Sequence, residues 1–142
     1  MKIFSIGFEN RDFEKLMRDL KKVKVRNLID VRCFPEAESA GYARGALLTG
    51  RLGGITYRHM GLLAPTSVIL DDYFKKGLSW EKYEIEYLRI LKERKVEDRI
   101  GKKIFEVTSC LFCFEHDPAK CHRRLGLEYL QEHWESVRVV HL

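Results

Sequence analysis

A three-layer α/β domain with a mainly parallel sheet of about five strands is the fold the sequence predicts, and three observations carry it. Short runs rich in β-branched and aromatic residues alternate with amphipathic stretches of helical period. The connection between the first two runs is too long for a hairpin and suits a crossover helix, which makes the pair parallel. The run ending at Phe114 is apolar on both of its faces, as a strand covered from two sides must be. With 142 residues and 45% hydrophobic side chains, the chain fits one domain, residues 1–142, with a core of its own.

Taken in order, Lys2 to Ile6 is a short strand that stops at Gly7, and Asn10 is the expected cap of a helix over Asp12 to Lys22. On that helix Phe13, Leu16, Met17 and Leu20 share a face. A second strand follows over Asn27 to Arg32. From Cys33 to Gly77 the pattern breaks up: six of the ten glycines lie between Gly41 and Gly61, which predicts a short helix over Ala43 to Leu48 plus a flexible segment. Within it, Ile55 to Met60 alternates as a third strand. Ser79 caps the clearest helix, reaching Arg94 with Trp80, Tyr83, Tyr87, Leu88 and Leu91 as its core stripe. Lys103 to Phe114 reads as the central strand, Pro118 to His133 as a helix and Ser136 to Leu142 as the last strand.

No apolar stretch reaches the roughly 18–20 residues that cross a membrane, and Met1 to Gly7 is too short for the core of a signal peptide. A cytoplasmic protein without a membrane partner is the expectation. Two Asn and one Gln against many Lys, Arg and Glu resemble the balance of heat-adapted proteins. The net charge of +5 is spread along the chain, so it permits a small anionic or nucleotide-like ligand, or nucleic acid, without requiring either.

The chemistry concentrates where the central strand runs into the last helix. Asp117 before Pro118 is an N-cap signal that places Cys121, His122 and Arg123 in the opening turns. Helix N-termini favour anions, and Arg123 adds a planar fork of donors. In parallel sheets ligands bind beyond the carboxyl ends of the strands. That edge receives Gly7 and Asn10 after the first strand, Asp30 and Arg32 at the end of the second, Tyr57 and His59 near the third, and the corner from Glu115 to Arg123. Candidate ligand-binding residues are therefore Gly7, Asn10, Asp30, Arg32, His59 and Arg123; candidate catalytic residues are Glu115, Cys121 and His122. Each has a structural alternative. Asp30 and Arg32 share a strand face and can simply pair, Tyr57 and His59 can pack, and Glu115 can hold Arg123 instead of moving a proton.

These segments, in this order, resemble domain-of-unknown-function family 488. The resemblance rests on Ser5 to Asn10, on Asp30-Val31-Arg32 with the following Phe34-Pro35, on the Gly-Ile-x-Tyr-x-His segment from Gly54 to His59, and on Cys113-x-Glu115 followed by Cys121-His122-Arg123. Phe8 stands where the family often has His or Tyr, and Gly61-Leu62-Leu63 departs from the usual Leu-Gly-Gly. The resemblance implies an α/β domain with a shared polar site and no settled activity.

Four cysteines raise the question of a metal. Cys110 and Cys113 lie three apart on a strand and point to opposite faces, and Cys121 and His122 diverge by about 100° if both are helical, so no shared metal is expected. Cofactors are left unspecified. At a helix N-terminus Cys121 is instead a candidate nucleophile. A phosphatase-like or rhodanese-like loop is disfavoured, because the residue six after Cys113 is Ala119 and not Arg, and Cys121 precedes Arg123 by only two. Two functions stay open: an enzyme acting on a phosphorylated or nucleotide-like molecule, and a non-catalytic domain in which the same residues only recognise a nucleotide or nucleic acid.

Overall fold

The computed structural model describes residues 1–142. Five parallel strands form one sheet: β1 (Lys2–Gly7), β2 (Asn27–Asp30), β3 (Thr56–His59), β4 (Ser109–Cys113) and β5 (Arg138–His141), in the order β3-β2-β4-β1-β5. Six helices connect them: α1 (Phe13–Lys22), α2 (Gly45–Thr49), α3 (Ser67–Phe74), α4 (Trp80–Arg94), α5 (Val96–Arg99) and α6 (His122–His133). None is long and apolar enough to cross a membrane.

Strand alternation divides the interior into two cores. Phe4, Ile6, Leu28, Cys110 and Phe112 face one side, where Leu16 and Leu20 of α1 and Leu48 of α2 cover them. Ile3, Ile29, Leu111 and Cys113 face the other, beneath Tyr87 and Leu91 of α4 and Leu125 and Leu130 of α6. Successive side chains of a strand point to opposite faces, so β4, with all five residues buried, contributes to both. Gly7 is in register with Cys113, and Asp30 with Phe112, which sets the ends of β1, β2 and β4 side by side.

The elements differ from the sequence reading mainly at their ends. Asn10 does not cap α1; it occupies an exposed left-handed turn (φ 61°), and Asp12 accepts from the Lys15 amide at 2.7 Å. The central strand is shorter than its apolar run. Lys102–Phe105 is a 3-10 turn, because Phe105 turns in against Trp134, with ring centroids 5.7 Å apart. The Gly-rich insert is more structured than expected, with a 3-10 turn over Glu38–Ala43, then α2, and α3 beyond β3. Ser79 caps α4 as expected, through the Lys82 amide at 3.2 Å.

The most consequential difference is at the last helix. Asp117 caps only a 3-10 turn, Pro118–Lys120; Cys121 is then extended (φ −134°, ψ 138°), and α6 begins at His122. The divergence of Cys121 and His122 expected for two helical residues therefore does not apply.

Candidate functional site

The loop from Phe114 to Asp117 is held from below by β1. Phe8 and Glu9 donate their amides to the carbonyls of Cys113 and Phe114 at 3.1 and 2.8 Å, and the Glu9 carboxylate accepts the His116 amide at 3.0 Å. A Cβ on Gly7 would lie 1.7 Å from the Glu115 carbonyl oxygen, so only glycine permits this approach. Arg123, with no exposed surface, completes the support. It donates to the carbonyls of Glu115 (2.6 Å) and His116 (3.1 Å) and to Ser5 Oγ (3.1 Å).

Held in this way, the loop brings four chemically active side chains together. Donor atoms of Cys113, Cys121 and His122 all lie within 4.8 Å of one another, and all three residues are buried. Glu115 Oε2 sits 3.2 Å from the sulfur of Cys113 and 3.2 Å from that of Cys121. His122 donates from Nε2 to the Val31 carbonyl at 2.7 Å, just past β2, while both ring nitrogens stand 3.9 Å from Cys113 Sγ. Its ring meets that of Tyr87 edge-on, with centroids 5.6 Å apart.

The electrostatics separate the two thiols. Burial works to raise Cys121, but hydrogen bonding from Cys113 and His122 and the positive charges of His122 and Arg123 outweigh it and hold this thiol well below the ordinary cysteine value. Burial, the neighbouring Cys121 and Glu115 push Cys113 well up. Glu115 is raised as well, by burial and then by the negative charge on Cys121. His122 is raised despite burial, because Cys121 favours its charged form. Charge is thereby favoured on Cys121 and His122 and disfavoured on Cys113.

The cluster forms one end of a cavity of about 160 Å³ that opens outside the carboxyl ends of β2 and β4. These adjacent strands lead away in opposite directions, β2 toward the β3 edge and β4 toward the β5 edge. Tyr73 and Phe74 of α3 and Trp80 and Tyr83 of α4 line one side. Tyr73 packs against Trp80 and Tyr83 at centroid separations of 5.8 and 5.1 Å. Phe34 and Phe114 add aromatic surface from the two strand-end loops, and Lys120 is an exposed lining cation. Arg94 fastens the approach to α3, donating to the carbonyls of Leu62 and Ala64 at 2.9 and 2.6 Å.

Of the predicted residues, Glu115, Cys121 and His122 gather as one group at this cavity, and Arg32 also lines it. The others lie elsewhere. Arg32 directs its guanidinium inward, pairing with Asp30 through Nε (2.9 Å) and Nη2 (2.6 Å) and donating to the Ala43 carbonyl (2.7 Å). It lies over the rings of Phe8 and Phe112 at 5.1 and 5.0 Å. Asp30 is fully buried and also accepts from the Tyr57 hydroxyl. His59 donates to the Arg32 carbonyl at 2.8 Å. Gly7 and Asn10 do not line the cavity, and Arg123, expected to hold an anion, has its donors turned to the protein's own carbonyls. The residues that sequence reasoning missed are Cys113 and the aromatic wall. Alternation along β4 was the available signal for Cys113, since it places that thiol on the α4/α6 side with Leu111. For the wall there was none, because a stripe that lines a cavity at one end has the same period as one that is wholly core.

The model of the domain of unknown function DUF488 matches residues 12–130, from the start of α1 nearly to the end of α6. The chain belongs to this family. No curated protein and no solved structure matches it. In this DUF488 domain the matched span includes the second, third and central strands and the entire Cys113-to-Arg123 corner. Only β1 and β5, the two strands on one side of the sheet, lie outside it.

Proposed function

We propose that this DUF488 domain binds a small anionic ligand with a planar, nucleotide-like body in the aromatic cavity beyond β2 and β4, and acts on it with Glu115, Cys121 and His122. One observation carries the reading. Phe34, Phe74 and Phe114, 58, 65 and 46% exposed, surround an opening that also holds Lys120 and ends on the reactive cluster. Exposed aromatic faces grouped around a concavity gain from stacking a flat ring, and a nearby ammonium favours an attached phosphate. The crevice between adjacent strands that leave in opposite directions is where open parallel sheets bind ligands.

A thermal-shift screen tests the reading with inorganic phosphate, nucleosides, mononucleotides, dinucleotides and oligonucleotides on the wild type, Lys120→Ala and Phe74→Ala. A ligand at 100 times its dissociation constant stabilises by about 2.7 kcal/mol, which moves the midpoint of a domain this size by roughly 8 °C. Lys120→Ala is expected to weaken nucleotides and spare nucleosides; Phe74→Ala is expected to weaken both. No shift with any of these molecules sinks the proposal, and a shift only with oligonucleotides moves it to a nucleic-acid-binding module. Given a ligand, Cys121→Ser and Glu115→Gln decide between the two classes: turnover lost with binding kept marks an enzyme.

A further inference from the structure

We infer that Cys113, Cys121 and His122 form a three-donor binding site for a zinc-class divalent cation, with the fourth position open toward Glu115 and the cavity. The inference rests on the donor geometry; it gives Cys121 and His122, which the proposed function sets to act on a ligand, the role of holding a metal there, and it does not require that ligand.

Zinc is held by thiolate sulfur at about 2.3 Å and imidazole nitrogen at about 2.0–2.1 Å, so a tetrahedral site has sulfur–sulfur edges of about 3.8 Å and sulfur–nitrogen edges of about 3.6 Å. The three donors here lie within 4.8 Å of one another, with 3.9 Å between Cys113 Sγ and the ring nitrogens of His122. These separations are somewhat longer than the edges of such a tetrahedron, so the three side chains close in on the ion as it binds. Glu115 Oε2, 3.2 Å from each sulfur, lies on the edge the two thiols share.

The surroundings fit a metal centre as well as the donors do. His122 donates Nε2–H to the Val31 carbonyl at 2.7 Å, which leaves Nδ1 facing sulfur. A histidine ligand commonly has its second nitrogen fixed by a carbonyl in this way. The loop carrying Glu115 is fastened by Arg123 and by the amides of Phe8 and Glu9, so the donors are brought together before any ion arrives. Two sulfurs and an imidazole select a borderline-soft cation over magnesium or calcium, which prefer oxygen. Cys113, Cys121 and His122 are buried, whereas Glu115 is partly exposed at the cavity, so the fourth position is the one that water or a ligand reaches. Binding removes one proton from each thiol still protonated and leaves the His122 ring neutral with its proton on Nε2.

The full-length chain, reduced and stripped with a chelator, is titrated with Co²⁺ as a spectroscopic stand-in for zinc. Expected is one equivalent bound, with the intense visible bands of tetrahedral cobalt and a thiolate charge-transfer band in the near ultraviolet, both abolished by Zn²⁺. Cys113→Ser, Cys121→Ser and His122→Gln are each expected to weaken binding by more than about 100-fold, while Cys33→Ser and Cys110→Ser leave it unchanged. A measurement on the wild type guards against variants that fail to fold: zinc-edge X-ray absorption of the loaded protein should show two sulfur neighbours at about 2.3 Å. A six-coordinate cobalt spectrum, binding that survives Cys113→Ser in a folded protein, or a zinc shell without sulfur overturns the inference. Metal binding without any nucleotide shift leaves this site standing and removes only the ligand proposal; the reverse result removes only this site.

Discussion

Replacing Arg123 with Ala tests whether that side chain is a structural clamp or an anion ligand. In the folded chain its guanidinium has no exposed surface and donates to two backbone carbonyls and Ser5 Oγ. A hydrogen bond from a charged donor contributes about 1.5–3 kcal/mol, and buried acceptors left without a partner add to the cost of losing it. Relief of the buried charge's desolvation offsets part of this, which leaves a net loss of about 3–5 kcal/mol. Domains of this kind hold only about 5–15 kcal/mol in total. With a urea slope near 2 kcal/mol per molar, the midpoint should fall by about 2 M, followed through the fluorescence of Trp80 and Trp134. Arg123→Lys keeps the charge, but one ammonium cannot span the same three acceptors, so roughly half the loss is expected. An Arg123→Ala protein within about 1 kcal/mol of wild type in the absence of ligand would refute the clamp and restore the anion-binding role.

Three further outcomes follow from the same geometry. Asp30→Asn breaks the buried pair with Arg32 and should cost about 3–5 kcal/mol in urea unfolding, whereas Tyr57→Phe removes one hydrogen bond to Asp30 and should cost about 1–2 kcal/mol; equal losses would mean that Asp30 is not the hub. Gly7→Ala sets a Cβ 1.7 Å from the Glu115 carbonyl oxygen, so strand or loop must move; a loss of about 2 kcal/mol or more is expected together with loss of the cobalt spectrum, and a normal spectrum would contradict the packing. His141 is held below its ordinary value by burial and then by the charges of Arg123 and Arg124, with Glu128 opposing and Cys121 also negative, and it accepts the Ser5 hydroxyl at Nδ1. The unfolded chain therefore takes up that proton first. Stability is complete above about pH 6.5 and declines as the pH falls through that value, levelling off below the native pKa. His141→Gln should remove this part of the slope in urea titrations from pH 8 to 5; an unchanged slope would assign it to other groups.

Both cores were legible because burial imposes periodicity. Leu16 and Leu20 recur at helical spacing, and β4 is apolar along its length because helices cover both of its faces. Cys121, His122 and Glu115 were legible as a group because their strand-to-helix corner is short. The arginines were less so. Arg123 and Arg32 both read as candidate ligand-binding cations, Arg32 with pairing to Asp30 as its alternative, yet both donate to backbone carbonyls, and no local pattern separates a residue that binds a ligand from one that holds its own chain. Asn10 was misread as a cap for a related reason: Asn, which tolerates the left-handed turn, and Asp12, which caps, stand two apart, and either suits a helix start.

By itself the sequence determined the alternation of strand and helix, the parallel sheet, the family to which the chain belongs and the corner that groups Glu115, Cys121 and His122. These follow from short-range pattern: hydrophobic period, turn residues and neighbouring motif positions. Tertiary structure alone decided that Cys113 joins Cys121 and His122, because this requires β1 and β4 in register, a glycine at position 7 and an extended residue ahead of α6. It also decided that the outer end of the α4 stripe becomes a cavity wall, since that depends on where α3 packs. Such contacts bring together residues far apart in the chain, and their geometry is settled by packing that no single segment encodes.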